Sequence, residues 1–284
     1  MCKTDRENYE KYWDDISPFI KFGCLKDEKF GEKMKNSMLY KNLDHKYMTL
    51  EDIIKEAKGE EAEAAKTEET KTDAEESKDA DAKEEEKTRI FYVTDEVQQS
   101  QYINMFKEEG QDALILKHNI DSAFISHVEQ KKETVKFMRI DADINESVKA
   151  DGEENLEEQT KELGEIFKKA LGKENLTVKA EKLKNESVSS MMTVTEESRR
   201  MQDMMKMYGM DANMFGGANG ATLVLNANHP LVKYVAEHKD DETNVPLICQ
   251  QLYDLAMMAH KQLSPEEMTQ FIGRSNQILL ALAK

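Results

Sequence analysis

The sequence contains no long apolar run. Nowhere do eighteen apolar residues follow one another, and the opening stretch MCKTDRENYEKYW has no apolar core of the kind found in signal peptides. A membrane-spanning helix needs about twenty predominantly apolar residues, and a secretory leader needs a run of about seven to fifteen. We therefore expect a cytoplasmic protein that does not enter the membrane.

Cysteine is scarce as well. The three cysteines, Cys2, Cys24 and Cys249, are odd in number and form no C-x-x-C pair. This pattern argues against a disulfide framework and against a zinc site, and it fits a reducing compartment. The six histidines are scattered without the spacing of metal ligands. We expect no metal site in this chain.

Positive charge is outnumbered by negative charge. Forty lysines and arginines stand against fifty-seven acidic residues, so the 284-residue chain carries a formal net charge of -17. A field of this sign repels phosphate backbones and anionic lipid headgroups. Nucleic acid and membrane surfaces are therefore not expected as partners.

A recognisable active site is also missing. The glycine-rich stretch 215–220 precedes a predicted strand and is not followed by Lys-Ser/Thr, so it does not have the form of a phosphate-binding loop. No serine or cysteine has a base suggested nearby, and we expect no catalytic residues. The remaining enzyme hypothesis is a pocket in residues 89–141, where the polar candidates are Asp95, His118 and Asp121.

Changes in composition divide the chain into four segments. Residues 1–57 show the apolar spacing of three and four that predicts helices, whereas residues 58–87 hold thirteen acidic residues, six lysines and no aromatic residue. Such a segment cannot bury enough surface to offset its ordering entropy, so we interpret it as a disordered insert. Either a solvated loop or an acidic interaction spacer would have this composition. Residues 88–148 are expected to form a small α/β unit, and residues 149–284 a larger mixed α/β domain.

Local signals refine this division. The residue before a proline avoids the αR conformation, so we predict a kink or two short helices at Pro18, with Gly23 ending the unit. Residues 89–141 alternate strand, helix, strand, helix and strand, and Asp121 can cap the second of these helices. The alternation predicts a small three-layer α/β unit, and the chain as a whole is expected to have an α+β fold.

Methionine is concentrated in one region, with eight of the seventeen between Met191 and Met214. Four side chains at i, i+3, i+4 and i+7 form one stripe of a predicted helix. They are Met201, Met204, Met205 and Tyr208. Flexible thioether side chains adapt to many shapes, so this stripe is a candidate client-binding surface. An ordinary core helix would show the same pattern, and the residues alone leave both interpretations open.

The end of the chain predicts two long amphipathic helices that form a hairpin. Between them, Ser264-Pro265-Glu266-Glu267 has the form of a capping box with proline at the first helical position. Two apolar stripes at a chain end favour pairing with a second copy as a four-helix bundle, and packing back on the same domain is the alternative. The candidate dimerisation residues are Ile248, Leu252, Leu255, Ala256, Ala259, Met268, Phe271, Ile272, Ile278 and Leu279.

Several short motifs occur in an order that is characteristic of one known family. They are Tyr9-x-x-Tyr12-Trp13, Thr49-Leu50-Glu51-Asp52, Ile90-Phe91-Tyr92-Val93-Thr94-Asp95, Leu225-Asn226-x-Asn228-His229-Pro230, Leu252-Tyr253-Asp254-Leu255-Ala256 and Phe271-x-x-Arg274-x-Asn276. Over nearly the whole chain outside residues 58–87, the sequence resembles the ninety-kilodalton heat-shock chaperone family, especially its bacterial members. The resemblance runs from the end of the middle domain through the C-terminal dimerisation domain.

This resemblance implies a stress-response chaperone, a homodimeric ATP-driven clamp that remodels unfolded or partly folded client proteins. It implies dimerisation through the C-terminal helices and a client-contacting helix at about Glu196 to Tyr208. ATP and Mg²⁺ would serve a nucleotide-binding domain that precedes residue 1, so we expect no cofactor and no ATPase activity in this chain. A structural dimerisation module without client affinity is the remaining alternative.

The sequence departs from the family pattern at two places. The acidic insert interrupts a connection that is normally short in the family. In the stretch from Ala180 to Ser187, the family has a turn containing proline, and this sequence has none. The resemblance therefore leaves the geometry of that loop open.

Overall fold

A computed structural model describes residues 5–57, 87–142, 149–150, 156–207 and 220–283. These residues form two units. The first contains the residues up to Glu96 together with Phe106–Ile140, and the second contains Val97–Met105 and the residues from Asp141 onward. Of the predicted acidic insert, only Lys87 falls within the described residues. The disorder predicted for the insert therefore lies outside them.

The first unit has a helical segment followed by a small sheet. Its elements are α1 (Arg6–Lys11), α2 (Trp13–Lys26), α3 (Glu28–Met34), a 3-10 turn (Lys35–Ser37), β1 (Tyr40–Lys41), β2 (Tyr47–Met48), α4 (50–57), β3 (Thr88–Val93), the end of α5 (Ser100–Glu108), β4 (Leu114–Ile115), α6 (Ile120–Lys131) and β5 (Val135–Arg139).

The break in the first helical stretch lies at Tyr12. Helix α2 runs through Pro18 and past Gly23 to Lys26, so two short helices divided at Pro18 and a helix end at Gly23 are wrong, whereas the alternative of a kink at Pro18 stays a prediction. Proline in a helix interior removes one backbone hydrogen bond, and burial of one face of α2 offsets that loss. Gly23 has a different role: a Cβ there would lie 2.8 Å from the Phe30 ring, so glycine allows α3 to approach closely.

The sheet of the first unit is parallel, with strand order β4-β3-β5. Tyr92 is in register with Leu114, and Ile90 is in register with Phe137. Parallel neighbours require crossover connections, which is why strands and helices alternate along this part of the chain. Helix α6 packs on β5, and α2 packs on α6. The predicted α+β class, with a small layered α/β unit, is confirmed.

The second unit is built around a three-stranded mixed sheet of order β6-β8-β7. Strands β6 and β8 are parallel, and β7 runs antiparallel to β8. Its elements are the start of α5, α7 (Glu157–Leu171), β6 (Thr177–Glu181), β7 (Ser190–Val194), α8 (Glu196–Met207), β8 (Ala221–Asn226), α9 (Pro230–Glu237), α10 (Asn244–His260) and α11 (Pro265–Leu282).

Helices α7, α9 and α10 share one apolar core with this sheet. Leu163 and Phe167 of α7, Leu223 and Leu225 of β8, and Cys249 of α10 are all fully buried there. Helix α7 ends where Gly172 adopts the left-handed conformation (φ +62°) and the Lys173 N–H donates to the Lys168 carbonyl, which is the usual way a helix satisfies its last carbonyl groups.

A buried ion pair links two helices of the first unit. Lys21 of α2 donates to Asp121 of α6 at 2.5 Å, and both side chains are about 5% exposed. The other carboxylate oxygen of Asp121 accepts from the backbone N–H of His118 at 3.0 Å. The prediction that Asp121 caps α6 is therefore wrong, because α6 begins at Ile120 and Asn119 is its N-cap residue.

Breaking this pair should destabilise the first unit strongly. Lys21→Met is expected to lower the free energy of unfolding by about 3–5 kcal/mol, because it leaves a buried carboxylate without its charge partner. Lys21→Met combined with Asp121→Asn should recover much of the loss, since the buried charge is then gone. Urea unfolding measures both effects.

Lys46→Met is the matched control, because its partner Asp44 is exposed and 3.4 Å away. Exposed pairs contribute roughly 0–1 kcal/mol. If Lys21→Met were as mild as Lys46→Met, the pair would not be a structural requirement.

Candidate functional site

Helix α10 buries one face in the core of the second unit. Proline 246 is its third residue, within the first turn, where a backbone N–H has no intrahelical partner. Leu252 and Ala256 are fully buried, and burial raises the pKa of the Cys249 thiol to about 12. This thiol therefore stays protonated and serves packing. Two of the candidate dimerisation residues, Leu252 and Ala256, thus pack inside their own unit.

The other candidates on α10 lie nearer the surface. Ile248 is partly buried against the same core, and Ala259 is half-buried. Leu255 is 42% exposed. Helix α10 therefore divides its apolar residues between the core and the surface.

Helix α11 begins with the predicted capping box, which is confirmed. The Ser264 hydroxyl accepts from the Glu267 N–H at 3.2 Å, and the Glu267 carboxylate accepts from the Ser264 N–H at 2.8 Å. The hydrogen bond from the Ser264 backbone, which favours the ionised carboxylate, holds the pKa of Glu267 below its usual range. Pro265 occupies the first turn, as the sequence predicts.

Beyond its first turn, α11 leaves most of its apolar side chains accessible. The structure describes α11 along its whole length, and the one buried side chain is Arg274. Ile272 is 52% and Leu279 is 62% exposed. The half-buried candidates on this helix are Met268, Phe271 and Ile278. Leu280 and Leu282 are exposed as well. Leu280 was absent from the sequence-based candidates because it lies off the periodic stripe.

Polar side chains attach α11 to α10. The Arg274 guanidinium donates to Gln251 (Nε to Oε1, 3.1 Å), to Gln250 (Nη1 to Oε1, 3.4 Å) and to the carboxylate of Asp254. Gln251 also donates to the Ser275 hydroxyl at 3.2 Å. We call these five residues the Arg274 cluster. The sequence offered a signal for it only through the motif that contains Arg274.

The Met-dense region divides into a buried part and an accessible part. Met191 and Met192 lie in strand β7, which is buried along its length and was not predicted. Met201 of α8 is 56% exposed, and Met205 is half-buried. The side chain of Met204 and the whole of Tyr208 lie outside the described residues.

The first turns of α8 are attached to the second unit by charged side chains. Arg199 donates to the buried carboxylate of Asp141 at 3.0 Å, and His260 Nδ1 lies 3.5 Å from the same carboxylate oxygen. Arg200 forms an ion pair with Glu196 at 2.8 Å, one turn earlier in the helix. The attached turns precede Met201, so the exposed methionine follows the anchored part of the helix.

The loop that departs from the family pattern is held by one buried amide. Asn226, at the end of β8, accepts from the Leu183 N–H at 3.1 Å and donates to the Val188 carbonyl at 2.8 Å. It also donates to the Asn185 carbonyl and accepts from the Asn228 N–H, both at 3.1 Å. This buried side chain therefore bonds to three backbone groups of the loop between β6 and β7, at Leu183, Asn185 and Val188.

Within the described part of the chain, no group of three or more His, Cys, Asp or Glu side chains is placed to hold a metal ion. Across the same residues, no helix combines the length and apolarity needed to cross a membrane. The described residues instead include accessible apolar side chains on α8, α10 and α11.

Comparison with known proteins identifies the family. The family model described as Hsp90 protein matches residues 63–283. The chain is 30% identical over 264 residues to chaperone protein htpG of Bacteroides fragilis strain YCH46, covering 87% of this chain and 34% of that protein. It is 30% identical over 256 residues to chaperone protein HtpG of Bacteroides thetaiotaomicron, covering 84% and 33%. Against chaperone protein HtpG of Yersinia pestis, it is 25% identical over 297 residues, covering 99% and 42%.

This chain belongs to the Hsp90 family, as the motifs indicated. It spans about a third to two fifths of the length of these curated relatives. The assignment therefore applies to the part of the family fold that the chain contains.

The capping box predicts a pH-dependent contribution to stability. The pKa of Glu267 is lowered in the folded protein. Its charge therefore stabilises the fold when the pH is above the ordinary glutamate pKa, near 4.3. This contribution disappears as the pH falls through the pKa of the folded state. Glu267→Gln should therefore be less stable than the wild type near neutral pH, and the difference should close in acid. Chemical unfolding at several pH values measures it.

Glu266→Gln is the control, because Glu266 shares the first turn but belongs to no capping box. Ser264→Ala should cost about 1 kcal/mol at neutral pH. If the difference in the free energy of unfolding between Glu267→Gln and the wild type widened in acid, this account would be contradicted.

Proposed function

We propose that this chain is a chaperone module consisting of the end of the middle domain and the C-terminal domain. In this proposal, two copies pair through α10 and α11, and each offers α8 to unfolded or partly folded client proteins. The membership in the Hsp90 family supports the chaperone class. The dimer and the client surface rest on the exposure of particular side chains.

One observation carries the dimer proposal: α11 is long and amphipathic, yet its large aliphatic side chains remain exposed. Burying such a side chain contributes roughly 1.5–3 kcal/mol. In a two-fold symmetric interface each residue contributes twice. Ile272, Leu279 and Leu282 from two copies would therefore contribute on the order of 9 kcal/mol, which is comparable with the estimated 4–15 kcal/mol cost of association.

Exposure of Met201 supports the client-binding proposal. A helix that only completed a core would bury its methionine stripe, whereas Met201 is largely accessible. Anchoring of the preceding turn through Arg199 and Asp141 presents that side chain on a fixed support. The thioether can then adapt to apolar segments of different shape.

We infer that ATP and Mg²⁺ act outside these 284 residues, in a nucleotide-binding domain of the longer relatives, and that this chain itself holds no cofactor. The net charge of -17 supports protein partners over nucleic acid or anionic membranes. A cytoplasmic location is part of the same proposal.

The enzyme hypothesis has no comparable support. Of its three polar candidates, Asp121 is already engaged by Lys21 and by the His118 N–H. Those contacts attach α2 to the start of α6, so Asp121 has a structural role. A dimerisation module without client affinity remains an outcome that the experiments below distinguish.

Substitution on α11 tests the dimer. Light scattering at tens of micromolar should give twice the 32.7 kDa chain mass for the wild type. The double variant Ile272→Ser, Leu279→Ser should give a monomer, because it removes exposed apolar surface from each copy. Leu231→Ser is the matched control, since Leu231 is an exposed leucine on α9, and it should remain dimeric. A monomeric wild type would refute the proposed dimer.

Substitution on α8 tests client binding. The wild type should suppress aggregation of heat-denatured malate dehydrogenase, and the triple variant Met201→Ser, Met204→Ser, Met205→Ser should lose most of that suppression. Val97→Ser, which changes an exposed apolar residue elsewhere in the second unit, should leave it intact. Suppression that survives the triple variant would remove α8 as the client surface, and a dimeric wild type without suppression would favour the purely structural module.

A further inference from the structure

A buried charged side chain lies between α11 and α10. Arg274 is the buried residue of α11, while its neighbours Ile272 and Leu279 are more than half exposed. Three acceptors on α10, from Gln250, Gln251 and Asp254, converge on its guanidinium. We propose that Arg274 is a positioning residue: it fixes α11 against α10 and thereby creates the surface on which a second copy docks. This inference rests on the proposed dimer.

Arginine suits this role because its guanidinium is a rigid fork of five donors. The three acceptors lie within one turn of α10, so they constrain both the rotation of α11 about its axis and its angle to α10. Apolar contacts are non-directional and would constrain neither closely. Hydrogen bonds to ionised groups are also stronger than those between neutral groups.

The cluster is supported from the core side. Gln250 accepts from Arg274 through Oε1 and donates through Nε2 to the carbonyl of Ala170 at 3.3 Å. Ala170 lies in the last turn of α7, whose buried residues belong to the core. Gln251 accepts from Arg274 and donates back to Ser275 of α11. The guanidinium therefore binds to acceptors that are themselves held in place.

Arg274 acts on the docking surface indirectly. At about 100° per residue, it lies about 160° from Ile272 and about 140° from Leu279 around α11, whereas those two residues share one face. An effect of Arg274 on the contacts of Ile272 and Leu279 therefore comes through the placement of α11. Direct contact with the partner copy is not required.

The test measures dimer dissociation and helix attachment in the whole chain. Arg274→Met keeps the length of the side chain but removes its donors, and it should raise the dimer dissociation constant on the order of tenfold by analytical ultracentrifugation. Amide hydrogen exchange in α11 should accelerate, while exchange in the core residues of α7 and α10 stays unchanged. Arg274→Lys, which keeps the charge without the fork, should fall between Arg274→Met and the wild type. Lys233→Met removes an exposed positive charge on α9 and should match the wild type.

The outcomes separate the two proposals. A dimeric Arg274→Met with wild-type affinity and wild-type exchange in α11 would overturn the positioning role and leave the dimer proposal intact. Acceleration of exchange in α7 and α10 to the same extent as in α11 would also overturn it, because Arg274 would then support only general stability. A monomeric wild type would instead refute the dimer, and the inference would fall with it.

Discussion

The second unit depends on how the surface of helix α10 is divided between contacts with the core and contacts with α11. One side of α10 packs in the core shared with α7, β6 and β8 through Cys249, Leu252 and Ala256. Its Gln250, Gln251 and Asp254 face is committed to Arg274 of α11. Polar contacts therefore contribute to the attachment of α11, and several of its aliphatic side chains stay accessible. The surface proposed for a second copy is a consequence of this division.

The first unit uses a charged pair in a different setting. Lys21 and Asp121 are both almost fully buried, so their mutual attraction has to offset the loss of hydration of two charges. The pair joins α2 to α6 and leaves Asp121 no freedom to act as a helix cap. In both units, an ion pair fixes the arrangement of two helices that apolar contacts alone would specify less closely. Buried ion pairs determine the packing geometry in some proteins and not in others.

Local signals in the sequence predicted local structure well. The capping box at Ser264 and Glu267 is a contact between residues three apart, so their spacing is sufficient to predict it. The alternation of strand and helix between residues 89 and 141 likewise predicted the small α/β unit, and the structure shows that its sheet is parallel. The division into two short helices predicted at Pro18 failed because burial of one face of α2 outweighs the local cost of proline. Strand β7 was missed because methionine has no strong strand preference, and partners on β8 decide its conformation.

By its own composition and spacing, the sequence determined the α+β class and the two terminal amphipathic helices, since each of these depends on residues close together in the chain. The family was indicated by the resemblance of an ordered series of motifs. Only the tertiary structure decided which apolar residues of those helices face the core. Leu252 and Leu255 are three residues apart on one predicted stripe, yet Leu252 is buried and Leu255 is accessible. Helical periodicity identifies an apolar side, but the packing of distant elements determines how much of that side they cover.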